Sequence, residues 1–141
     1  MSVKVAVRVR PYNEREIKNG NPKCCVKMQG PMTELVDTNG QPRPFTFDYS
    51  FWSHDAFKTD DNGYTIKDSE DSNYADQEHV YNELGKQVLD NAWSGYHCCL
   101  FAYGQTGSGK SYSMVGYGKN LGIVPMACNE IFRRIKNNKD E

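Results

Sequence analysis

The run Phe101-Ala-Tyr-Gly104-Gln105-Thr106-Gly107-Ser108-Gly109-Lys110-Ser111-Tyr112 decides the reading of this chain. Within it, Gly104-x-x-x-x-Gly109-Lys110-Ser111 is a complete phosphate-binding loop pattern. Glycines suit such a loop because no Cβ stops the backbone N–H groups from turning inward around an anion. Lys110 supplies the charge expected on the β- and γ-phosphates, and the Ser111 hydroxyl is the expected Mg²⁺ ligand. Just upstream, Tyr96 to Tyr103 is almost unbroken apolar and aromatic, the pattern of a strand buried on both faces. A helix opening at about Gly109 would aim its positive end at the phosphates.

The preceding residues fit the same plan. Asp76 is placed to cap a helix with Glu78 in its first turn. Val80, Leu84 and Val88, flanked by Tyr81, Leu89 and Trp93, step at helical spacing to about Trp93, where Ser94-Gly95 ends the run. The order helix, strand, phosphate loop, helix is an α/β arrangement. Beyond the loop, Gly116, Gly118 and Gly122 interrupt the helix, which resumes around Val124-Pro125 with proline in its first turn. There Cys128, Ile131, Phe132 and Ile135 form an apolar stripe, and Lys136 to Glu141 is a polar end.

Val3 to Arg10 alternates valine with mostly charged residues and reads as a strand ended by Pro11. Cys24–Met28 and Thr33–Asp37 are short extended pieces, followed by the Asn39-Gly40 turn signal. Arg43 to Tyr49 alternates again as a further strand. Residues 53 to 74 are polar and turn-rich, and read as a long surface loop. Asp55 to Glu78 carries eight acids against Lys58 and Lys67, which reads as a solvated face.

The 141 residues suit one domain and carry a net charge of −1, so no global field argues for a nucleic-acid or anionic-membrane partner. The five cysteines form two adjacent pairs and a single residue, with no Cys-x-x-Cys spacing. That argues against a disulfide framework and a zinc site, and Cys98 and Cys99 read as small buried core residues. No apolar stretch reaches membrane-spanning length, and no signal-peptide pattern opens the chain, so a cytoplasmic setting is expected.

Five ordered blocks then carry a resemblance. Val3-Lys-Val-Ala-Val-Arg8-Val-Arg10-Pro11, Phe47-Asp-Tyr-Ser-Phe51-Trp52, Gln77-x-x-Val80-Tyr81, the run Gly95 to Met114 and Gly122-Ile-Val-Pro125 resemble the N-terminal part of a kinesin motor domain. The likeness runs essentially from residue 2 to residue 136 and is nearest the kinesin-3 group. It implies a P-loop NTPase fold of the kinesin-motor type with a central, mostly parallel sheet, of which this chain is the N-terminal half. It also implies ATP or ADP with Mg²⁺ on Gly104, Gln105, Thr106, Gly107, Ser108, Gly109, Lys110 and Ser111. Arg8 and Pro11 would pack against the adenine with Tyr112 beside it, a guanidinium and a ring over a purine being sensible stacking chemistry. Gln77, Val80 and Tyr81 read as structural.

The resemblance further implies a microtubule motor, associated with the cytoskeleton, that couples ATP hydrolysis to movement. Kinesins complete their site with two switch segments carrying Ser-Ser-Arg and Asp-Leu-Ala-Gly, and neither string occurs in this sequence. The tubulin-gripping helix and neck linker are expected beyond residue 141. An unpaired apolar edge on Tyr96–Tyr103 is then expected to favour aggregation, a swapped dimer or pairing with the missing half of the motor. The alternative is a nucleotide-binding or motor-interacting module without turnover. A GTPase is disfavoured, because Asn137-Asn138-Lys139-Asp140 only superficially resembles a guanine-reading element.

Overall fold

The computed structural model describes residues 3–20 and 22–138. They fall into two compact units, one made of the described residues up to 57 with 67–74, the other of residues 58–66 with the described residues from 75 onward.

In the first unit, strand β1 (Ala6–Val9) pairs in parallel with β5 (Tyr49–Trp52), with Ala6 opposite Tyr49 and Arg8 opposite Phe51. The pairing continues outward through Tyr49 N–H to the Val5 carbonyl and Ser53 N–H to the Val9 carbonyl. β1 is shorter than the alternation suggests, since Val3 and Val5 lie exposed before it. Strands β2 (Val26–Gln29), β3 (Met32–Val36) and β4 (Pro42–Thr46) form an antiparallel sheet in that order. Asp37 closes the β3–β4 turn, its Oδ1 accepting from Asn39 and Gln41 N–H at 2.9 Å each, with Gly40 at φ 77°. The expected strand over Arg43–Tyr49 is therefore two strands, broken at Phe47-Asp48. Pro42 and Pro44 place β4 at an edge, where a missing N–H costs no ladder bond, and all five of its residues are exposed.

Helix α1 (Glu14–Lys18) has no buried residue and so no apolar periodicity to announce it. Asn13 Oδ1 accepts from Glu16 N–H at 2.8 Å and Glu16 Oε2 accepts from Asn13 N–H at 2.9 Å, a reciprocal capping box. The Asn-x-x-Glu spacing was its legible signal. Arg10 adds a two-point contact to the Glu16 carboxylate at 2.7 and 2.8 Å. These bonds hold the Glu16 carboxyl at about 2, with the Arg10 contact the larger cause and the Asn13 N–H the next.

Residues 53 to 74 are not a plain loop. They contain strands β6 (Phe57–Thr59) and β7 (Thr65–Lys67), paired as a hairpin. Asp60 Oδ1 accepts from Asn62 and Tyr64 N–H at 2.9 and 2.8 Å, and Gly63 turns at φ 86°. A polar composition concealed a turn that its own aspartate closes. In the first unit, Ser72 and Tyr74 are buried, with Ser72 Oγ donating to the Ala56 carbonyl at 2.7 Å.

The second unit is largely helical. Asp76 accepts from His79 N–H at 2.7 Å and starts α2 (Gln77–Val80). A π-helical turn, Tyr81–Gly85, leads into α3 (Lys86–Trp93). Val80, Tyr81 and Leu89 are buried, and Trp93 is exposed. Short helix α4 (Lys110–Met114) follows the glycine-rich loop, then hairpin strands β8 (Gly116–Tyr117) and β9 (Asn120–Leu121), then α5 (Ile123–Asn137). Gly122 lies so close to Met114 and Val115 that a Cβ there would sit 2.5 Å from the Met114 carbonyl carbon. Pro125 is in the first turn of α5. The polar end beyond Asn138 lies outside the described residues.

Three expectations fail here. Tyr96–Tyr103 carries no strand, and Tyr96, Phe101 and Tyr103 are 70%, 83% and 100% exposed. A strand buried on both faces needs a ladder partner and covering layers, and the described residues supply neither. For the same reason Cys98 and Cys99 are exposed rather than core, as is Cys128. On α5 the expected stripe is likewise uncovered at Phe132 and Ile135, while Ile123 is the helix's buried residue.

Candidate functional site

The loop Gly104–Ser111 has the backbone its composition suggests. Gly104, Gly107 and Gly109 adopt φ of 149°, 80° and 98°, conformations that a Cβ would strain. The loop is also tight, since a Cβ on Gly104 would meet Ser108 Oγ at 2.5 Å. Ser108 N–H donates to the Gln105 carbonyl at 3.1 Å, closing a turn across Thr106 and Gly107. Gly109 then hands the chain directly into α4, whose first N–H groups have no carbonyl within the helix to bond.

Lys110 Nζ folds back over this loop, donating to the carbonyls of Gly104 at 2.6 Å and Gln105 at 2.8 Å. The ammonium is thereby held against the same turn that directs the loop N–H groups. Ser108 Oγ is buried with no hydrogen-bond partner, an orphaned polar atom inside the loop. Burying a hydroxyl unpaired costs on the order of 1–3 kcal/mol, so Ser108 Oγ is one polar group of the loop that the loop itself does not satisfy. Ser111 is exposed at the first turn of α4. An anionic oxyanion group fits this donor set. For a divalent cation the fit is limited to one hydroxyl, from Ser111. No cluster of three or more histidine, cysteine, aspartate or glutamate side chains able to hold a metal exists among the described residues.

Behind the loop, sequence reasoning missed a polar node. The buried Gln77 donates through Nε2 to the Tyr112 carbonyl at 2.7 Å and the Asn120 carbonyl at 3.2 Å, tying the start of α2 to α4 and β9. The structural reading of Gln77 stands on these bonds. Tyr112 is half-buried, its ring 6.0 Å from that of Tyr117. Val80 and Tyr81 pack in the helix that Gln77 opens. The Tyr81 hydroxyl is buried without a partner, and burial pushes its pKa up.

A second cluster joins α3 to α5. Arg134 bonds both Glu130 and Asp90 and lies over the Trp93 ring at 5.4 Å. The Glu130 carboxyl is held at about 2, first by Arg133 and then by Arg134. This cluster is structural, for its charges are mutually paired.

The other expected base-side residues, Arg8 and Pro11, belong to the first unit. Arg8 Nε donates to Ser53 Oγ at 2.9 Å, and the Pro11 carbonyl accepts from Arg10 Nη1 at 2.7 Å. His54 Nδ1 lies 2.9 Å from the Arg10 carbonyl, with the Tyr12 and Trp52 rings edge-on to its own. The strand end before Pro11 is thus held by Ser53 and His54.

Comparison with known proteins gives these residues a setting. A family model described as the kinesin motor domain matches residues 8–141. Kinesin-like protein KIF28 of Rattus norvegicus is 46% identical over 99% of this chain, which spans 14% of that protein's length. Kinesin-like protein KIF1B of Homo sapiens is 44% identical over 99% of the chain and 7% of its own length. Among solved structures, a KIF14 dimer described as two-heads-bound, with AMP-PNP and in complex with a microtubule, superposes with a TM-score of 0.82 at 38% identity. That match covers 99% of this chain and 34% of the KIF14 chain.

Proposed function

The chain belongs to the kinesin motor family, nearest the kinesin-3 group as its likeness to KIF1B supports, and on that premise we propose that it is the nucleotide-binding portion of an ATP-driven microtubule motor. The observation that carries this reading is the loop Gly104–Ser111: three glycines at positive φ, an orphaned hydroxyl inside, and Lys110 folded over the turn. The AMP-PNP bound by KIF14 supports a nucleotide as the ligand.

In this reading the loop N–H groups and the start of α4 bind the phosphates. Lys110 exchanges two contacts to neutral carbonyls for contact with anionic phosphate oxygen, which adds an attraction between opposite charges. Ser111 supplies a hydroxyl to a Mg²⁺ that arrives with the nucleotide, the ion's remaining oxygens coming from phosphate and water. The nucleotide itself, when bound, supplies the phosphoanhydride whose cleavage drives a motor. Tyr112 is proposed beside the adenine, as are Arg8 and Pro11, on the family resemblance. The microtubule partnership and a cytoplasmic, cytoskeletal location are likewise proposed from the family. No described helix is long and apolar enough to cross a membrane.

A second reading has its own support. The sequence contains neither Ser-Ser-Arg nor Asp-Leu-Ala-Gly, the segments by which kinesins position the attacking water. On this alternative the chain is a nucleotide-binding or motor-interacting module without turnover of its own.

Calorimetric titration with Mg-ADP and Mg-ATP, beside the Lys110→Ala variant, tests the site. Saturable binding that the variant loses is expected. Equal affinity in both proteins refutes the assignment of Lys110 and of the loop. Steady phosphate release by the purified chain would refute the reading without turnover.

A further inference from the structure

The hairpin of residues 58–66 is hydrogen-bonded to the β8–β9 turn by the Asn120 side chain. Asn120 Oδ1 accepts from Thr65 N–H at 2.8 Å, and Asn120 Nδ2 donates to the Gly63 carbonyl at 3.1 Å. Its carboxamide thus meets one residue's carbonyl and the N–H two positions on, as a neighbouring peptide group does in a ladder. Lys119 Nζ lies 5.7 Å from the Tyr64 ring centroid, a second contact from the same turn. The hairpin is closed on its own side by Asp60, with Asp60 N–H donating to the Tyr64 carbonyl and Gly63 N–H to the Asp60 carbonyl at 2.9 Å each. It is therefore a preformed piece pinned at its tip.

Asn120 also faces the other way. Its main-chain carbonyl shares the Gln77 amide with the Tyr112 carbonyl, while Tyr117, on the partner strand opposite Asn120, packs against the Tyr112 ring. Both the backbone and the ring of Tyr112 are consequently referenced to the β8–β9 hairpin that Asn120 pins. Neither contact reaches Lys110, Ser111 or the loop carbonyls.

We propose that hairpin 58–66 is a strap, and that Asn120 and Gln77 are positioning residues through which it sets Tyr112 for the nucleotide base. The base role of Tyr112 rests on the functional reading above; the strap itself rests on the bonds just given. Loosening the strap lets the β8–β9 turn and the Tyr112 ring drift while leaving the phosphate loop in place. Affinity for a nucleotide falls and affinity for bare phosphates does not.

The test titrates the full 141-residue chain with Mg-ADP and with Mg-pyrophosphate. It compares wild type, Asn120→Ala, a variant with Lys58–Ile66 replaced by Gly-Ser-Gly, and the two changes combined. Each single change is expected to weaken ADP about three- to tenfold, the scale of one or two neutral hydrogen bonds, with pyrophosphate unaltered. The combined variant should be no weaker than either, because both break one linkage. Equal losses for both ligands, unaltered ADP affinity, or additive losses would each overturn the proposal. Pyrophosphate binding by every variant reports that the fold survives. A wild type that binds ADP no better than pyrophosphate instead refutes the base reading of Tyr112. The strap is then judged by deuterium uptake across residues 110–121, which should rise in Asn120→Ala; unchanged uptake overturns it.

Discussion

Replacing Gly85 by alanine pits two effects of opposite sign against each other. In a helix interior alanine is favoured over glycine by about 1 kcal/mol. Here, however, the added Cβ would sit 2.7 Å from Tyr81 Cδ2 and 2.9 Å from Ile123 Cγ2. Both neighbours are buried, at 9% and 7% exposure. Neither can swing into solvent without uncovering apolar surface, so the π-helical turn, α5 or both must shift. Overpacking of this kind costs about 1–3 kcal/mol. The clash offsets or outweighs the propensity gain, leaving Gly85→Ala destabilised by up to about 2 kcal/mol, or a fall in Tm of up to about 8 °C for a chain of this size.

Urea unfolding followed by helical circular dichroism measures this directly. Gln87→Ala, at an exposed position of α3, is the control and should leave the midpoint nearly unchanged. A double-mutant cycle with Tyr81→Leu sharpens the test. Removing the aromatic edge should cost less in the G85A background than in wild type, since it also relieves the contact. A midpoint that rises in Gly85→Ala, or a cycle showing no relief, would refute the packing argument.

Asp76→Ala removes the cap on His79 N–H and should lower stability by about 1 kcal/mol, read as a shifted urea midpoint; Asp76→Asn should restore most of it. Glu16→Gln should lower the midpoint modestly at pH 7. Because the Glu16 pKa is depressed to about 2 from an unfolded value near 4.5, its contribution is fully present above that value. It is lost as pH falls through about 2, so wild type and variant should converge there; a gap that persists below pH 2 contradicts the Arg10 and Asn13 account. Phe101→Ser, at an 83% exposed apolar position, should reduce self-association in sedimentation while moving the urea midpoint by no more than about 0.5 kcal/mol. A large loss of stability would show that the segment is packed after all.

Local chemistry was legible wherever neighbours in sequence are also neighbours in space. The glycine spacing of the loop after Tyr103, the Asp76 cap and the turn at Asn39-Gly40 all act over four residues or fewer, and each appears where the residues place it. The capping box at Asn13 and Glu16 belongs to this class and could have been read. So could the Asp60 turn, had the acidic composition around it not suggested a plain loop.

What the linear pattern could not carry was whether a distant partner exists. An apolar run such as Tyr96–Tyr103 records a capacity to be buried, while burial itself needs flanking strands and layers, and here the run stands exposed. Residues 58–66 showed the reverse. Their polarity suggested solvent, yet Asn120, 55 residues beyond Thr65, supplies the two bonds that pin them. Gln77 could have faced water as easily as two carbonyls 35 and 43 residues away. The amino-acid sequence by itself determined the glycine-rich loop, its helix and the family. Only the tertiary structure decided which polar side chains hold Tyr112 and which apolar ones are left uncovered, because hydrogen bonds and burial depend on groups brought together from far along the chain.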